Sequence, residues 1–287
     1  MFLMNKQKSF TLIELLVVIV IIGILAGVII VSVSSSINKA NFAKAQSFSN
    51  TVQNELLGDL VSEWTFDIAS NPGEDTWGNN DGIIYGSPYY NNKASGNCVY
   101  GGCYSFNGTT DYINIDNPIL GETEMSVCAW AKKTAYVQYQ GIVSDYIPGS
   151  SRKNFILGYE SPENTLYFYV GDGVSTASIS NGGFTPNQWH FVCGTFKGGN
   201  AMSLYIDGIG KSKSISITNI GTTQSAQSSI GKYDSIFLFN GFIDDVRIYE
   251  ASLSSAQIKK QYVAGLNSLY SKGIISKSEF NDRISGK

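Results

Sequence analysis

Residues that could carry out chemistry are few in this sequence. It contains a single histidine, His190, and no Gly-x-Ser-x-Gly segment, so the residues of a Ser-His-Asp hydrolase are not assembled. Retaining glycosidases need two carboxylates about 5 Å apart. Glu160 and Glu163 flank Ser161-Pro162, which is typical of a turn and does not place two acids on one strand face. We therefore predict that the protein is not an enzyme.

Calcium is the best remaining chemical hypothesis, because this ion binds several oxygen atoms from Asp, Asn and loop carbonyl groups. The candidate ligands are Asp75, Asn80 and Asp245. The alternative is structural: Asp75 and Asn80 form a turn, while Asp245 pairs with Arg247 or with a backbone amide. Both interpretations are open at this point.

The four cysteines could form two disulfides if the protein is exported, since the space outside the cytoplasm is oxidising. Cys98 and Cys103 can close locally, because the glycines between them allow a tight turn. Cys128 and Cys193 then remain, on two predicted strands that could be neighbours. The alternative for this second pair is two buried free thiols that act as small apolar side chains.

The first element that must position these groups is a membrane helix. Residues 15–31 are apolar or glycine without interruption, which is long enough to span a bilayer, and the predicted span is about 12–33. Lys6 and Lys8 precede it with no acid nearby. The positive-inside rule therefore predicts a single-pass protein of the cell membrane, with a cytoplasmic N-terminus and an exported remainder.

The start of this helix carries a family signature. Lys8-Ser9-Phe10-Thr11-Leu12-Ile13-Glu14, followed by the apolar run, closely resembles the leader of type IV prepilins and type II secretion pseudopilins. The resemblance implies that a prepilin peptidase removes residues 1–9, cutting between Ser9 and Phe10, and that the new N-terminus is methylated. Ser9 replaces the usual glycine. The alternative is an uncleaved signal anchor.

Glu14 is the one charge inside the apolar helix. A carboxylate there costs about 2.5 to 3.5 kcal/mol on the insertion scale, so it needs a partner. The α-amino group that cleavage frees on a neighbouring subunit is a cation that could neutralise it. We therefore expect Glu14 to set the register of filament assembly.

Beyond the span the helix is predicted to continue to about Val61, so that residues 10–61 form one pilin-type helix. Apolar residues recur there at steps of three or four, which is typical of one buried helix face: Phe42, Ala45, Phe48, Val52, Leu56 and Leu60. With Lys+Arg at 20, Asp+Glu at 23 and a net charge of -3, the chain has no basic excess, so nucleic acid is not an expected partner.

Short alternating runs punctuated by Gly, Asn and Asp follow from residue 62 to about 250, which predicts an antiparallel β-sandwich. Asp207-Gly208 and Asn240-Gly241 have the composition of tight hairpin turns. Trp130 and Trp189 lie on alternating strands and are expected in the sandwich core rather than on a sugar-binding surface.

Five segments in order resemble the concanavalin A-like, laminin-G-like jelly-roll family: YSFNGTTDYINI, MSVCAWAKK, NQWHFVCGTF, SLYIDGIGKS and the stretch from IGKYDS to SSAQI. The resemblance covers roughly residues 61–262 and implies a mainly β fold, carried by the long N-terminal helix. Residues 251–287 are predicted as a helical tail, since Ser254 with Gln257 and Ser276 with Glu279 have capping-box spacing. Its expected role is packing or partner contact.

Together these resemblances imply a minor pilin or pseudopilin, a filament subunit that displays the sandwich for adhesion or secretion. Its expected partners are other pilin subunits, the prepilin peptidase and the membrane. A membrane-anchored carbohydrate-binding module at the cell surface is the second hypothesis, with tyrosine-rich loops around Tyr89-Tyr90 and from Tyr136 to Tyr146 as stacking surfaces for a glycan. A surface glycan hydrolase is the third, against which the missing acid pair counts.

Overall fold

The computed structural model describes residues 12–26, 43, 47, 51, 56–92, 97–115, 121–134, 139–146, 153–160, 165–222, 227–234 and 236–286. The chain divides into two compact units, Met1–Lys44 and Ala45–Lys287. The first unit contributes helix α1 over residues 12–26. Among the described residues, no helix is long and apolar enough to cross a membrane. The predicted span continues past residue 26, outside the described residues.

The second unit begins with helical positions at 47, 51 and 56. Residues 57–59 form a turn, and strand β1 starts at Leu60. The helix that the sequence predicts to about Val61 therefore ends before Leu60. Phe42, Phe48 and Val52 of the predicted apolar stripe lie outside the described residues, whereas Leu56 is buried.

Two antiparallel sheets make up the second unit, as predicted. Sheet A has eight strands: β1 (Leu60–Trp64), β3 (Tyr89–Asn91), β4 (Cys103–Asn107), β6 (Glu124–Lys133), β11 (His190–Lys197), β12 (Ala201–Ile206), β13 (Ile209–Ser214) and β17 (Asn240–Tyr249). Sheet B has seven: β2 (Ile83–Tyr85), β5 (Tyr112–Ile115), β7 (Gln140–Tyr146), β8 (Lys153–Glu160), β9 (Thr165–Gly171), β10 (Thr176–Asn181) and β14 (Gln227–Ile230). A small hairpin joins β15 (Lys232–Tyr233) to β16 (Phe237–Leu238).

The strand order of sheet A is β13-β12-β11-β6-β17-β4-β3, with β1 paired to β17, and that of sheet B is β10-β9-β8-β7-β14-β5-β2. The main core lies between the sheets. Strand β9 shows how it forms, because Leu166, Phe168 and Val170 join this core while Tyr167 and Tyr169 point to the opposite face.

A second core lies on the other face of sheet A, where helix α2 (Ser255–Ser271) and helix α3 (Lys277–Ser285) follow the last strand. Both predicted helix starts are confirmed. Ser254 and Gln257 form a complete capping box, and the Ser276 hydroxyl accepts the N–H of Glu279. Gly273 lies between the helices with a φ of 73°.

Trp130 and Trp189 are buried, as expected, but in this second core and not between the sheets. The Trp130 ring stacks on Tyr262 of α2 with centroids 6.0 Å apart. Gly265 of α2 lies directly against the indole, where any Cβ would collide with Trp130. The helical tail therefore packs on sheet A.

The two predicted hairpin turns have different outcomes. Asp207 and Gly208, with φ angles of 54° and 75°, connect β12 to β13 as predicted. Asn240-Gly241 is not a turn, because both residues belong to β17. Gly241, with a φ of 147°, allows β17 to lie close to β6, because a Cβ at this position would collide with the Lys132 carbonyl oxygen.

Candidate functional site

The outward face of sheet B carries a group of aromatic side chains, which we call the tyrosine cluster. Its members come from β7, β8, β9 and the β15–β16 hairpin, together with the residue before β7: Tyr139, Tyr146, Ile156, Tyr167, Tyr169, Tyr233 and Phe237. Alternation along the strands separates them from the main core. Within the cluster Tyr146, Tyr167 and the aliphatic Ile156 are buried, whereas Tyr169, Tyr233 and Phe237 are partly exposed.

The β15–β16 hairpin brings rings from a distant part of the chain onto this face. Tyr233 lies 5.3 Å from Tyr146, 6.3 Å from Tyr167 and 5.5 Å from Phe237, measured between ring centroids. Gly141 of β7 allows the hairpin to come this close, because a Cβ at Gly141 would collide with the backbone of Lys232. Separations of this size are typical of favourable aromatic pairs.

A second aromatic pair lies at the β2 end of sheet B. Tyr85 of β2 and Tyr112 of β5 are partners in the strand register and stack in parallel, with centroids 4.6 Å apart. The Lys232 ammonium lies 4.0 Å from the Tyr112 ring centroid, in cation–π geometry. Tyr85 is 43% exposed, so part of its ring is accessible at the edge of the sheet.

The pKa values of three tyrosines in the cluster, Tyr146, Tyr167 and Tyr233, are raised by burial, so their hydroxyls remain protonated at neutral pH. Burial raises the pKa of Tyr233 to about 12, with the nearby Asp234 adding to the effect. Burial also raises the pKa of Tyr167, and the charge of Glu160 contributes. The buried Tyr167 hydroxyl has no hydrogen-bond partner within the described residues. The face therefore combines ring surfaces with neutral hydroxyls and two nearby acids.

Such a surface can bind a ligand that has both apolar C–H faces and hydroxyl groups, which is the chemistry of a carbohydrate. Sequence reasoning did not single out Tyr167, Tyr169 or Tyr233. The available signal was that Tyr167 and Tyr169 are two residues apart in β9, which places both side chains on the same face of the strand. Tyr89 and Tyr90, predicted on a loop, lie on strand β3 of sheet A, and residues 136–138 lie outside the described residues.

His190 has an acidic partner, but its geometry is structural. Its Nδ1 lies 2.7 Å from Asp207 Oδ2, and the backbone N–H of Thr185 donates to Nε2 at 3.1 Å. The pattern assigns the ring proton to Nδ1, which leaves Nε2 engaged with the backbone. Arg283 of α3 also contacts Asp207 and donates to the Trp189 carbonyl oxygen at 2.6 Å. Asp207 therefore links His190 of β11 to Arg283 of α3.

Asp75 organises the loop after β1, with its carboxylate occupied by donors. The N–H groups of Glu63 and Gly78 donate to Oδ1 at 2.9 and 2.8 Å, and that of Asn80 donates to Oδ2 at 3.0 Å. Burial alone would raise the pKa of Asp75, but these backbone hydrogen bonds hold it below its usual value. Asn80 also donates to the Ser62 hydroxyl at 2.6 Å.

Asp245 lies on β17, buried beside Arg247 at 2.8 Å. Burial raises its pKa, and the guanidinium opposes that shift. A cation bound at Asp245 would lie beside the guanidinium of Arg247, which also pairs with Glu63 at 2.7 Å. In the described part of the chain, no three His, Cys, Asp or Glu residues are placed to hold a metal ion. Calcium binding stays a prediction, with Asp75 and Asn80 in one loop and Asp245 on β17.

Both expected disulfides are present. Cys98 bonds to Cys103 within a short loop, and Cys128 bonds to Cys193. The second pair are register partners on β6 and β11, so the two strands are neighbours as the sequence suggested. The alternative of two free thiols is wrong for this pair.

Glu14 lies on α1. Ser9 and Phe10, the residues on either side of the predicted cleavage point, lie outside the described residues. The leader prediction therefore depends on sequence similarity.

Comparison with protein-family models gives two matches. Residues 107–259, more than half of the chain, match the concanavalin A-like lectin/glucanases superfamily. Residues 4–30 match the prokaryotic N-terminal methylation motif. No curated protein sequence matches the chain.

Solved structures show the same fold. Domain 4 of AbnA, a GH43 extracellular arabinanase from Geobacillus stearothermophilus, in complex with arabinotriose, has a TM-score of 0.58 at 18% identity, covering 71% of this chain and 98% of that one. The botulinum neurotoxin serotype D ligand binding domain, in complex with N-acetylneuraminic acid, has a TM-score of 0.57 at 16% identity, covering 74% and 52%. The binding domain of Paraclostridial Mosquitocidal Protein 1 has a TM-score of 0.56 at 14% identity, covering 74% and 53%. The match spans about half of each toxin domain.

Proposed function

The chain belongs to the concanavalin A-like lectin/glucanases superfamily, and we propose that it is a type IV pilin-like subunit, a minor pilin or pseudopilin, that displays this domain on a surface filament. The observation that carries the proposal is the presence on one chain of a methylation motif over residues 4–30 and a complete β-sandwich. In this proposal the N-terminal motif directs assembly into the filament, and the sandwich recognises a ligand.

Assembly would follow the route that the prepilin resemblance implies. The prepilin peptidase removes residues 1–9, and Phe10 becomes the methylated N-terminus. Glu14 then pairs with the α-amino group of a neighbouring subunit, which offsets the cost of a carboxylate in the apolar layer. The sandwich follows on the outer side of the membrane, where both disulfides are stable.

Recognition would use the outward face of sheet B, and its ligand would be a glycan at the cell surface or in the surroundings. Support comes from the chemistry of this face, where Tyr169 and Tyr233 of the tyrosine cluster and Tyr85 of the Tyr85–Tyr112 stack have accessible ring surface. The neighbours with a bound arabinotriose and a bound N-acetylneuraminic acid share the fold. A binding protein, and not an enzyme, is the function that these features favour.

The assembly half is tested in a strain without prepilin peptidase. We expect a precursor that keeps residues 1–9 and stays in the membrane, as measured by the intact mass of the protein. In a peptidase-positive strain, Glu14→Val should insert normally but enter filaments poorly. An unchanged mass without the peptidase would contradict the leader assignment, and normal filament entry of Glu14→Val would contradict the assembly role.

The recognition half is tested on a glycan array with the detergent-extracted full chain. Tyr85→Ala should weaken binding about fivefold to tenfold, since one aromatic contact contributes about 1 kcal/mol. Tyr89→Ala is the matched control, because Tyr89 is also exposed but lies on sheet A. Equal binding by the two variants would exclude the Tyr85 end of sheet B, and no binding to any glycan would exclude the lectin role.

A further inference from the structure

Tyr167 carries a buried hydroxyl within the tyrosine cluster. Its side chain points to the outward face of sheet B and is only 2% exposed. Within the described residues, the hydroxyl oxygen has no hydrogen-bond partner. A buried polar group without a partner costs free energy, and a ligand that supplies the missing hydrogen bond removes that cost. The Tyr167 hydroxyl therefore marks a position where a polar ligand group would bind.

Glu160 is the acid beside this hydroxyl. It lies on the same face of β8 as Ile156, and its register partner Thr165 is two residues before Tyr167, so Glu160 and Tyr167 are diagonal neighbours across two strands. Burial raises the pKa of both Tyr167 and Tyr233, and the charge of Glu160 adds to the shift of each. Glu160 is half-buried, and within the described residues its carboxylate has no salt bridge.

Partly exposed aromatic rings surround the same position. The ring centroids of Tyr139 and Phe237 lie 4.9 Å apart, those of Phe237 and Tyr233 5.5 Å apart, and that of Tyr233 is 6.3 Å from Tyr167. Tyr139, Tyr233 and Phe237 are each partly exposed. We call these four rings, together with Glu160, the Glu160 subsite. The face of an aromatic ring attracts a cation, so an acid among several rings is suited to bind an ammonium group.

Lys232, in the β15–β16 hairpin, does not occupy this subsite. Its ammonium lies over Tyr112 of β5, 4.0 Å from the ring centroid, on the other side of β7 and β14 from the rings of β9. Burial lowers the pKa of Lys232, and the charge of Asp234 in the same hairpin opposes that shift. The cation of the hairpin therefore has an aromatic partner and an acid of its own.

Two further lysines approach sheet B at other places. Lys153 begins β8 and is seven residues from Glu160, which is about 23 Å along an extended strand. Lys213 belongs to sheet A, and its Nζ donates to the Ser178 carbonyl oxygen on β10, the end strand of sheet B. Neither lysine is bonded to Glu160, so the carboxylate is available to a cationic ligand.

We propose that the Glu160 subsite binds the protonated amino group of an amino sugar. The ammonium donates to the Glu160 carboxylate and to the Tyr167 oxygen, while the faces of Tyr139, Tyr233 and Phe237 attract its charge and pack against the sugar ring. The inference rests on the proposed recognition of a glycan by sheet B. It adds the chemical class of that glycan, which carries free amino groups and is neither acidic nor fully N-acetylated.

The test compares a glucosamine oligosaccharide with the N-acetylglucosamine oligosaccharide of the same length, by titration calorimetry on the detergent-extracted full chain. The measurement is made at about pH 6, where an amine of this type, like an α-amino group, is protonated. We expect the glucosamine oligomer to bind about fivefold to tenfold more tightly, the size of effect expected for a cation in a partly desolvated aromatic site.

Glu160→Gln keeps the shape of the side chain and removes its charge. It should abolish the preference for the glucosamine oligomer and leave the affinity for the N-acetylated oligomer unchanged. Glu250→Gln is the matched control, because Glu250 is an exposed acid that directly follows β17 of sheet A. This variant should retain the full preference.

Tyr167→Phe keeps the ring and removes the hydroxyl. Because that hydroxyl has no partner in the described part of the free protein, the variant should not lower the melting temperature, yet it should weaken binding of the glucosamine oligomer about threefold to fivefold. A lower melting temperature with unchanged binding would show that the hydroxyl serves the fold and would contradict its role in the subsite.

Equal affinity for the two oligomers, or a preference that persists in Glu160→Gln, would overturn the inference and leave the proposed recognition of glycans in place. Acetyl-lysine amide supplies an ammonium without a sugar, so competition by it as strong as that of the glucosamine oligomer would overturn the assignment to an amino sugar. Absence of binding to the glucosamine oligomer would overturn the inference alone if other glycans on the array bind. Absence of binding to every glycan would overturn the proposed recognition and the inference together.

Discussion

Removing the Cys128–Cys193 disulfide should cost about twice the free energy of unfolding that is lost with Cys98–Cys103. The reason is the length of chain that each bond closes, with sequence separations of 65 and 5. In the chain-entropy relation these lengths correspond to about 4 kcal/mol and about 2 kcal/mol at 25 °C. The short loop is also held without its bond, because Asp244 accepts the N–H groups of Val99 and Tyr100.

The measurement is urea unfolding of the two double variants, Cys128→Ala/Cys193→Ala and Cys98→Ala/Cys103→Ala, beside the unaltered chain, followed by tryptophan fluorescence. Double replacement avoids a lone reactive thiol in either variant. The denaturant dependence of each variant shows whether unfolding remains two-state, so that free energies can be compared. A larger loss for the short loop than for the long one would refute the chain-entropy argument and indicate that local packing around Cys98 dominates.

Two further outcomes follow from the buried acids and the Asp75 loop. Burial raises the pKa of Asp145 to about 6, although Asn154 and Ser228 donate hydrogen bonds to it, so folding favours its protonated form and stability falls as pH rises from about 4 to about 6. Asp145→Asn should therefore gain about 3 kcal/mol over the unaltered chain across that window in pH-dependent urea unfolding, and a constant difference would contradict the shift. If the predicted calcium site binds the ion, calcium should raise the melting temperature and EDTA should lower it; no shift with either would contradict the calcium prediction.

The strands of the sandwich could be predicted because each carries its own alternating pattern. The segment MSVCAWAKK, for example, lies within β6, which begins one residue earlier at Glu124. The helix starts after Ser254 and Ser276 could also be predicted, since a capping residue acts within one turn. Local interactions of this kind are encoded within a few residues.

Features that depend on distant residues could not be predicted in the same way. The assignment of Asn240-Gly241 to a turn was wrong because its composition says nothing of the Lys132 carbonyl against which Gly241 packs. Tyr139 and Tyr146 lie in the predicted tyrosine stretch, but the rest of the cluster was missed for the same reason: Tyr233 reaches Tyr146 only after the β15–β16 hairpin has folded over β7. The Cys128–Cys193 pairing was open until the register of β6 and β11 was known.

Trp130 shows how the helical tail covers the outer face of sheet A. An indole on an alternating strand must be buried on one face or the other, and strand pattern alone cannot choose between the main core and the outside of sheet A. The helical tail determines that Trp130 is buried on the outer face of sheet A, because Gly265 of α2 lies against the indole and Tyr262 stacks on its ring. The aromatic residues that remain exposed include Tyr85 of β2, Tyr89 of β3 and Trp77 in the loop after β1. The tail thus removes Trp130 and Trp189 from the candidate ligand-binding surfaces, which supports the proposal that recognition uses the outward face of sheet B.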